Sequence, residues 1–141
     1  MFNYQIKTYN PEIEVTEFHF YILNKGLNSG KPLLEPCPNC FVCTFKTNEE
    51  KEQLYWLVFG LWQGKIFHQN LLGSVIPYIR LKCLKEVIQL GITKYLSNPE
   101  KAQKNISTIH QIENQRQTIL KQFQLKQQLK LALIQDVLKQ C

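Results

Sequence analysis

The order of apolar and polar positions gives strand-like alternation in the front half of the chain and helix-period stripes behind it. NYQIKTY alternates as a strand does, and Pro11 ends it. VTEFHFYILNKG has Thr16 in an N-cap position and Gly26 as a stop, yet its apolar positions fit a short helix or a strand, and the periodicity does not decide. NSGKPLLEPCPN holds one Gly and three Pro, which predicts no regular structure. FVCTFK is the clearest strand, with Phe41, Cys43 and Phe45 on one face. Thr47 and Asn48 then stand ready to cap a helix whose start is acidic (Glu49, Glu50, Glu52), as the helix dipole favours. That helix runs to about Gln63. Leu54, Trp56, Leu57, Phe59, Gly60 and Leu61 leave it little polar face, so most of it is expected at the centre of the core. Further on, Gly73 and Ser74 permit a tight turn and Pro77 holds Ile76 extended. PYIRL alternates as a strand, and LKEVIQL turns amphipathic.

Near residue 92 the composition changes. Asn98 is a good N-cap, Pro99 suits the first helical position, Glu100 follows, and no Gly or Pro comes before Cys141. The tail is therefore expected to be one helix of about 43 residues, close to 65 Å at about 1.5 Å per residue. Ile106, Ile109, Ile112, Ile119, Leu120 and Phe123 form one stripe; Leu125, Leu129, Leu133, Ile134, Val137 and Leu138 form another, slightly rotated. A helix with such stripes needs a partner, either a second copy or another subunit. The expected class is α+β: a small mixed domain with few strands and a central apolar helix over 1–92, then a long coiled-coil-like C-terminal helix over 93–141.

Composition adjusts this picture modestly. With 141 residues the chain suits one domain with an appendage, and a net charge of +6 favours partners that carry phosphate or acidic surface. From Pro99 onward seven basic residues face three acidic ones, so +4 of the excess lies on the tail. The start of the chain lacks a basic segment followed by an apolar one, and LYWLVFGLW is far shorter than a membrane span, so a cytoplasmic protein without membrane contact is expected. Five cysteines form an odd set and read as reduced thiols. Cys37 and Cys40 have CxxC spacing and are weak candidates for a zinc site that Cys43 or Cys83 would have to complete, but a second CxxC is missing.

Candidate chemistry is sparse. GLNSGKP fails as a nucleotide-binding phosphate loop, being one residue short and carrying Pro32 where Ser or Thr should ligate magnesium. The same loop still offers Asn24, Lys25, Asn28, Ser29 and Lys31, with Gly26 and Gly30 allowing the backbone close to a phosphate or base edge. A plain solvated loop is the alternative. GKIFHQN supplies Lys65, His68 and Gln69, and GSVIPYIR adds Ser74, Tyr78 and Arg80; basic, amide and aromatic groups around a turn suit phosphate positioning with some base-edge readout. The competing reading is a polar rim around a core. His19, His68 and His110 are scattered and none lies in HExxH or beside a Ser or Cys nucleophile. The carboxylates form no hydrolytic pair, so neither an enzyme nor a cofactor is expected.

The stretch EEKEQLYWLVFGLWQGKIFHQNLLGSVIPYIRLKCLKEVIQLGI resembles the end of a target-recognition domain in the DNA specificity subunits of type I restriction-modification systems. The matching residues are Leu54, Tyr55, Leu57 and Phe59 in the helix, then Phe67, Gly73, Ser74, Ile76, Pro77, Ile79, Leu81, Leu84, Lys85 and Val87. IHQIENQRQTILKQFQLKQQLKLAL resembles the conserved helix that follows such domains, so the likeness spans 49–141. The whole chain, with NKGLNSGKP and PNCF, also resembles a family of small uncharacterised proteins. The specificity-subunit likeness implies a non-catalytic DNA reader with a spacer helix. Full subunits carry two recognition domains and two helices where this chain has room for one of each, and EVIQLGITKYLSNPE replaces their Pro-rich stretch. Two copies joined through Ile106, Ile109, Ile112, Ile119, Leu120, Phe123, Leu129, Leu133 and Val137 would restore a two-fold arrangement. The alternative is a protein-interaction module whose helix engages a methylase or another coiled-coil partner, without DNA binding, and which could even mimic a specificity subunit.

Overall fold

The computed structural model describes residues 2–140. Its sheet has four antiparallel strands, β1 (Tyr4–Thr8), β2 (Phe18–Leu23), β3 (Pro32–Leu33) and β4 (Cys40–Phe45), in the order β1-β4-β2-β3. β4 is central, with Cys43 opposite Ile6 on one side and Phe20 on the other. Its alternation sends Phe41, Cys43 and Phe45 into the main core, while Cys40 and Val42 join Tyr21 in a smaller cluster on the other face. Both faces being covered explains the nearly unbroken apolar run CFVCTF.

The architecture is α+β, as the patterning indicates, and pairing with β4 decides for strand in the segment whose periodicity left helix and strand open. The Gly/Pro-rich loop does contain regular structure: Pro32 and Leu33 pair with Ile22 and Tyr21 as an edge strand, where the missing proline N–H costs no ladder bond.

Helix α1 (Asn48–Gln63) starts as expected: Thr47 Oγ1 accepts from the Glu50 N–H at 3.3 Å, and Glu49 and Glu50 occupy the first turn. Its burial is narrower than its composition suggests. Leu54 and Val58 are buried, Leu57, Leu61 and Trp62 pack against the core from its edge, and Trp56 and Phe59 are half-buried outside that cluster. A helix has one face against a sheet, so its surplus aromatics must line its flank; Trp56, Phe59 and Trp62 do so edge to face, with centroids 5.1 and 5.6 Å apart.

A 3-10 helix (Ile66–Asn70) follows and carries the fully buried Phe67. The expected PYIRL strand is not formed. Leu72 and Tyr78 exchange two backbone hydrogen bonds (2.8 and 2.9 Å) as an isolated bridge, Ile79 enters the core, and α2 (Leu81–Ser97) begins after an extended Arg80. Two residues are too few to propagate a ladder once Leu84, Val87, Ile88 and Ile92 can bury a helical stripe.

Asn98 caps α3 (Pro99–Lys139), its Oδ1 accepting from the Lys101 N–H at 3.3 Å. The helix is 41 residues long, and none of them is buried. Its expected end at Cys141 lies outside the described residues. Internal contacts divide the chain into Met1–Ile106 and Ser107–Cys141, and α2 runs on through position 92 to Ser97 within the first of these. Among the described residues no helix is long and apolar enough to cross a membrane.

Candidate functional site

Two loops distant in sequence meet at one end of the sheet, and backbone hydrogen bonds join them. The Gly26 N–H donates to Pro77 O (2.7 Å), the Ile79 N–H to Asn24 O (3.1 Å), and Lys25 bridges Tyr78. His68 Nε2 lies 3.0 Å from Leu27 O and ties the 3-10 helix to the same loop. Such bonds fix the relative position of side chains that no regular element holds.

Within residues 24–31 the glycines and Ser29 serve the loop itself. Gly30 has φ +99°, and a Cβ there would stand 2.3 Å from the Phe67 ring; its bare backbone lets that ring close the core rather than admitting a phosphate. Ser29 is fully buried, with its hydroxyl 2.6 Å from Gly26 O and 2.9 Å from Asn24 O, so it shapes the turn and offers nothing to a ligand. Asn24 is half-buried and its carbonyl is used in the same way. Lys25 and Asn28 are exposed, and Lys31 is half-buried with its Nζ 5.1 Å from the Trp62 ring centroid.

From the other side come Lys65 and His68, both exposed. Together with Leu27, Asn28, Trp62 and Gln63 they line a cavity of about 340 Å³. Lys65 has φ 58°, and among the described residues no other non-glycine residue has a positive φ. Gln69, Ser74, Tyr78 and Arg80 do not line this cavity: Ser74 belongs to the hairpin tip, Tyr78 packs beside Gly73, and Arg80 precedes α2. The tip is apolar, with Val75 89% exposed, and Gly73 (φ +94°) makes the turn possible because a Cβ there would meet Ile76 O at 2.6 Å.

The charge is one-sided. Residues 24–31 and 62–80 contain Lys25, Lys31, Lys65 and Arg80 and no Asp or Glu. Trp62 and Gln63 escape sequence reasoning because helical periodicity assigns them to the end of a core helix. The clue lies in their position, as the last turn of α1 directly before Gly64 and Lys65.

Cys37 packs beside Cys40, and Cys43 does not join them. Cys43 lies on the opposite face of the sheet from Cys40, and among the described residues no group of three His, Cys, Asp or Glu could hold a metal. Cys40 Sγ donates to Cys37 O (3.2 Å), and Cys37 Sγ to Asn39 O (3.4 Å). Burial pushes the Cys40 and Cys43 thiols up, away from the thiolate that metal or redox chemistry requires. His19 Nδ1–H donates to Thr16 O (2.7 Å) at the entry to β2, far in sequence from the other histidines.

On α3 the expected stripe is present and exposed: Ile109, Ile112, Ile119, Leu120, Phe123, Leu129, Leu133 and Val137 all lie on the surface, with Ile106 half-buried. Leu133, Ile134, Val137 and Leu138 form a continuous apolar patch near its end.

The fold is thus an α+β unit with a polar, acid-free loop junction and a helical tail. The chain belongs to a family described as a family of unknown function (DUF6943), whose model matches residues 6–136. Comparison with curated proteins and with solved structures gives no match.

Proposed function

We propose that this protein is a non-catalytic, specificity-subunit-like DNA-binding protein that contacts DNA through the loop junction and pairs with a second copy through α3. The observation that carries the reading is the convergence of four basic residues and several amides on two joined loops without a single carboxylate. The likeness of residues 49–141 to type I specificity subunits supports it. The reading assigns the protein to the cytoplasm, where its thiols stay reduced.

The test is binding to a random duplex pool at several salt concentrations, with sequencing of what is retained. If Lys25, Lys31, Lys65 and Arg80 each meet a phosphate, log affinity falls with log salt at a slope of about 3 to 4, at about 0.9 per contact. A split or palindromic motif is expected among the retained sequences, and affinity indifferent to salt overturns the proposal. A monomer at micromolar concentration overturns the pairing.

One observation favours a second reading, a protein-interaction module: no residue of α3 is buried, and its apolar stripe runs most of its length. On that reading α3 engages a methylase or another coiled-coil partner, and salt barely affects the affinity.

A further inference from the structure

The junction holds a concavity as well as a charged surface, and the two features ask for different ligands. A duplex presents stacked bases and a regular backbone, neither of which enters a cavity of about 340 Å³. That volume falls at the lower end of ligand pockets, which run from about 300 to 1,000 Å³, and suits a single nucleotide-sized group.

We propose that this cavity holds one unpaired nucleotide, its base against the Trp62 indole and its phosphate beside Lys65; the proposal rests on the nucleic-acid reading and narrows it. Trp62 lines the cavity and supplies a π-surface of the kind on which any base stacks. Lys31 does not line the cavity, but its ammonium stands 5.1 Å from the indole centroid and adds positive charge next to the ring. Asn28 and Gln63 are exposed at the cavity, and each amide offers both donor and acceptor to a base edge that pairing no longer occupies. His68, held to Leu27 O at 3.0 Å, keeps the two walls together.

Lys65 makes the strongest case. A left-handed backbone is unfavourable for lysine and easy for glycine, and Gly64 stands immediately before it. A lysine in this conformation, on the wall of an acid-free cavity, is explained if its ammonium is used there. The chemistry is shared by a free nucleotide and by a nucleotide displaced from a strand, so the experiment must separate these sources.

Trp56→Phe leaves Trp62 as the sole tryptophan, so its fluorescence reports on the cavity. The full-length variant is titrated with adenosine monophosphate, a homopolymeric single strand and a fully paired hairpin, and the measurement is repeated with Lys65→Gly and Trp62→Leu. We expect the strand to quench Trp62 and to bind roughly tenfold more tightly than the hairpin. Trp62→Leu should weaken strand binding by roughly five- to hundredfold, the range for loss of one base–aromatic stack. Lys65→Gly should weaken binding while raising Tm, a pair of opposite signs that a merely structural lysine cannot produce.

Quenching by the monophosphate with neither strand nor hairpin binding also supports the cavity, identifies a free nucleotide as its occupant, and removes the DNA reading. Salt-dependent hairpin binding with Trp62 unaffected by strand and monophosphate overturns the cavity proposal and leaves the DNA reading standing. A Lys65→Gly protein with raised Tm and unchanged strand affinity overturns the proposal as well. If none of the three probes binds, both readings fall.

Discussion

Helices α2 and α3 carry apolar stripes of similar spacing and meet opposite fates. Leu84, Val87, Ile88 and Ile92 on α2 are buried against the sheet and α1, whereas Ile112, Ile119, Phe123 and Leu129 on α3 lie open to solvent. Periodicity therefore specifies the helix in both cases but not what covers it. Most helical stability in proteins comes from packing an amphipathic face rather than from propensity. The first unit supplies that packing internally; α3 displays a surface of the right kind for a partner to supply it.

A pair of identical substitutions exploits this difference most directly. Phe67→Ala removes a ring that is fully buried beneath Gly30, and it should cost about 3 to 5 kcal/mol in urea unfolding. Phe123→Ala removes a ring that is 61% exposed, and it should leave the transition of the Met1–Ile106 unit within about 0.5 kcal/mol of wild type. Comparable losses at the two positions would abolish the distinction between a packed unit and a displayed helix.

Alkali should act on the first unit through its sheet. Burial raises the Cys43 thiol above its ordinary value of 9.0, and it likewise raises Cys40 and the phenols of Tyr4 and Tyr21, all on strands. A raised folded-state value means that the contribution is fully present below the unfolded value and is lost as pH climbs past it. The unfolded thiol releases its proton from about pH 9, while the folded one cannot. Stability should then fall by about 1.4 kcal/mol per pH unit for Cys43 alone. Urea midpoints from pH 8 to 11 measure this, and Cys43→Val should flatten the first part of the decline. A flat profile in the wild-type protein would mean that Cys43 is not desolvated as its place in the core implies.

How much of this could be read in the sequence depends on whether the deciding contact is local. Both helix starts were legible, because Thr47 and Asn98 act on N–H groups three residues away. β2 stayed ambiguous because its state is decided by β4, about twenty residues on. β3 was hidden because Pro32 signals a break unless the strand is at an edge. The PYIRL alternation misled because burying Ile79 takes one residue, not a ladder. At the candidate site, Lys65 and His68 stood out by type, whereas Ser29 looked like a ligand group and proved to be a buried brace. Trp62 was missed for a different reason: it packs against the core from the end of α1, and the loop residues Leu27 and Asn28 that make it also line a cavity lie more than thirty positions earlier in the chain.

The smallest effect tests the contrast at the helix ends themselves. Thr47 and Asn98 make the same capping bond at the same distance, 3.3 Å, one on a helix with buried residues and one on a helix without any. Thr47→Ala should lower global stability by about 1 kcal/mol, because α1 cannot fray without exposing Leu54 and releasing the core, so the loss of the cap is transmitted to the whole unit. Asn98→Ala removes as much local capping energy, yet the first turn of α3 can open while the sheet and α2 stay intact. Its cost should appear as faster amide exchange around Lys101 and Ala102, with the urea midpoint moved by no more than a few tenths of a kcal/mol. Equal shifts in midpoint would show that the start of α3 unfolds with the domain, and cooperativity would then extend beyond the last buried residue of α2.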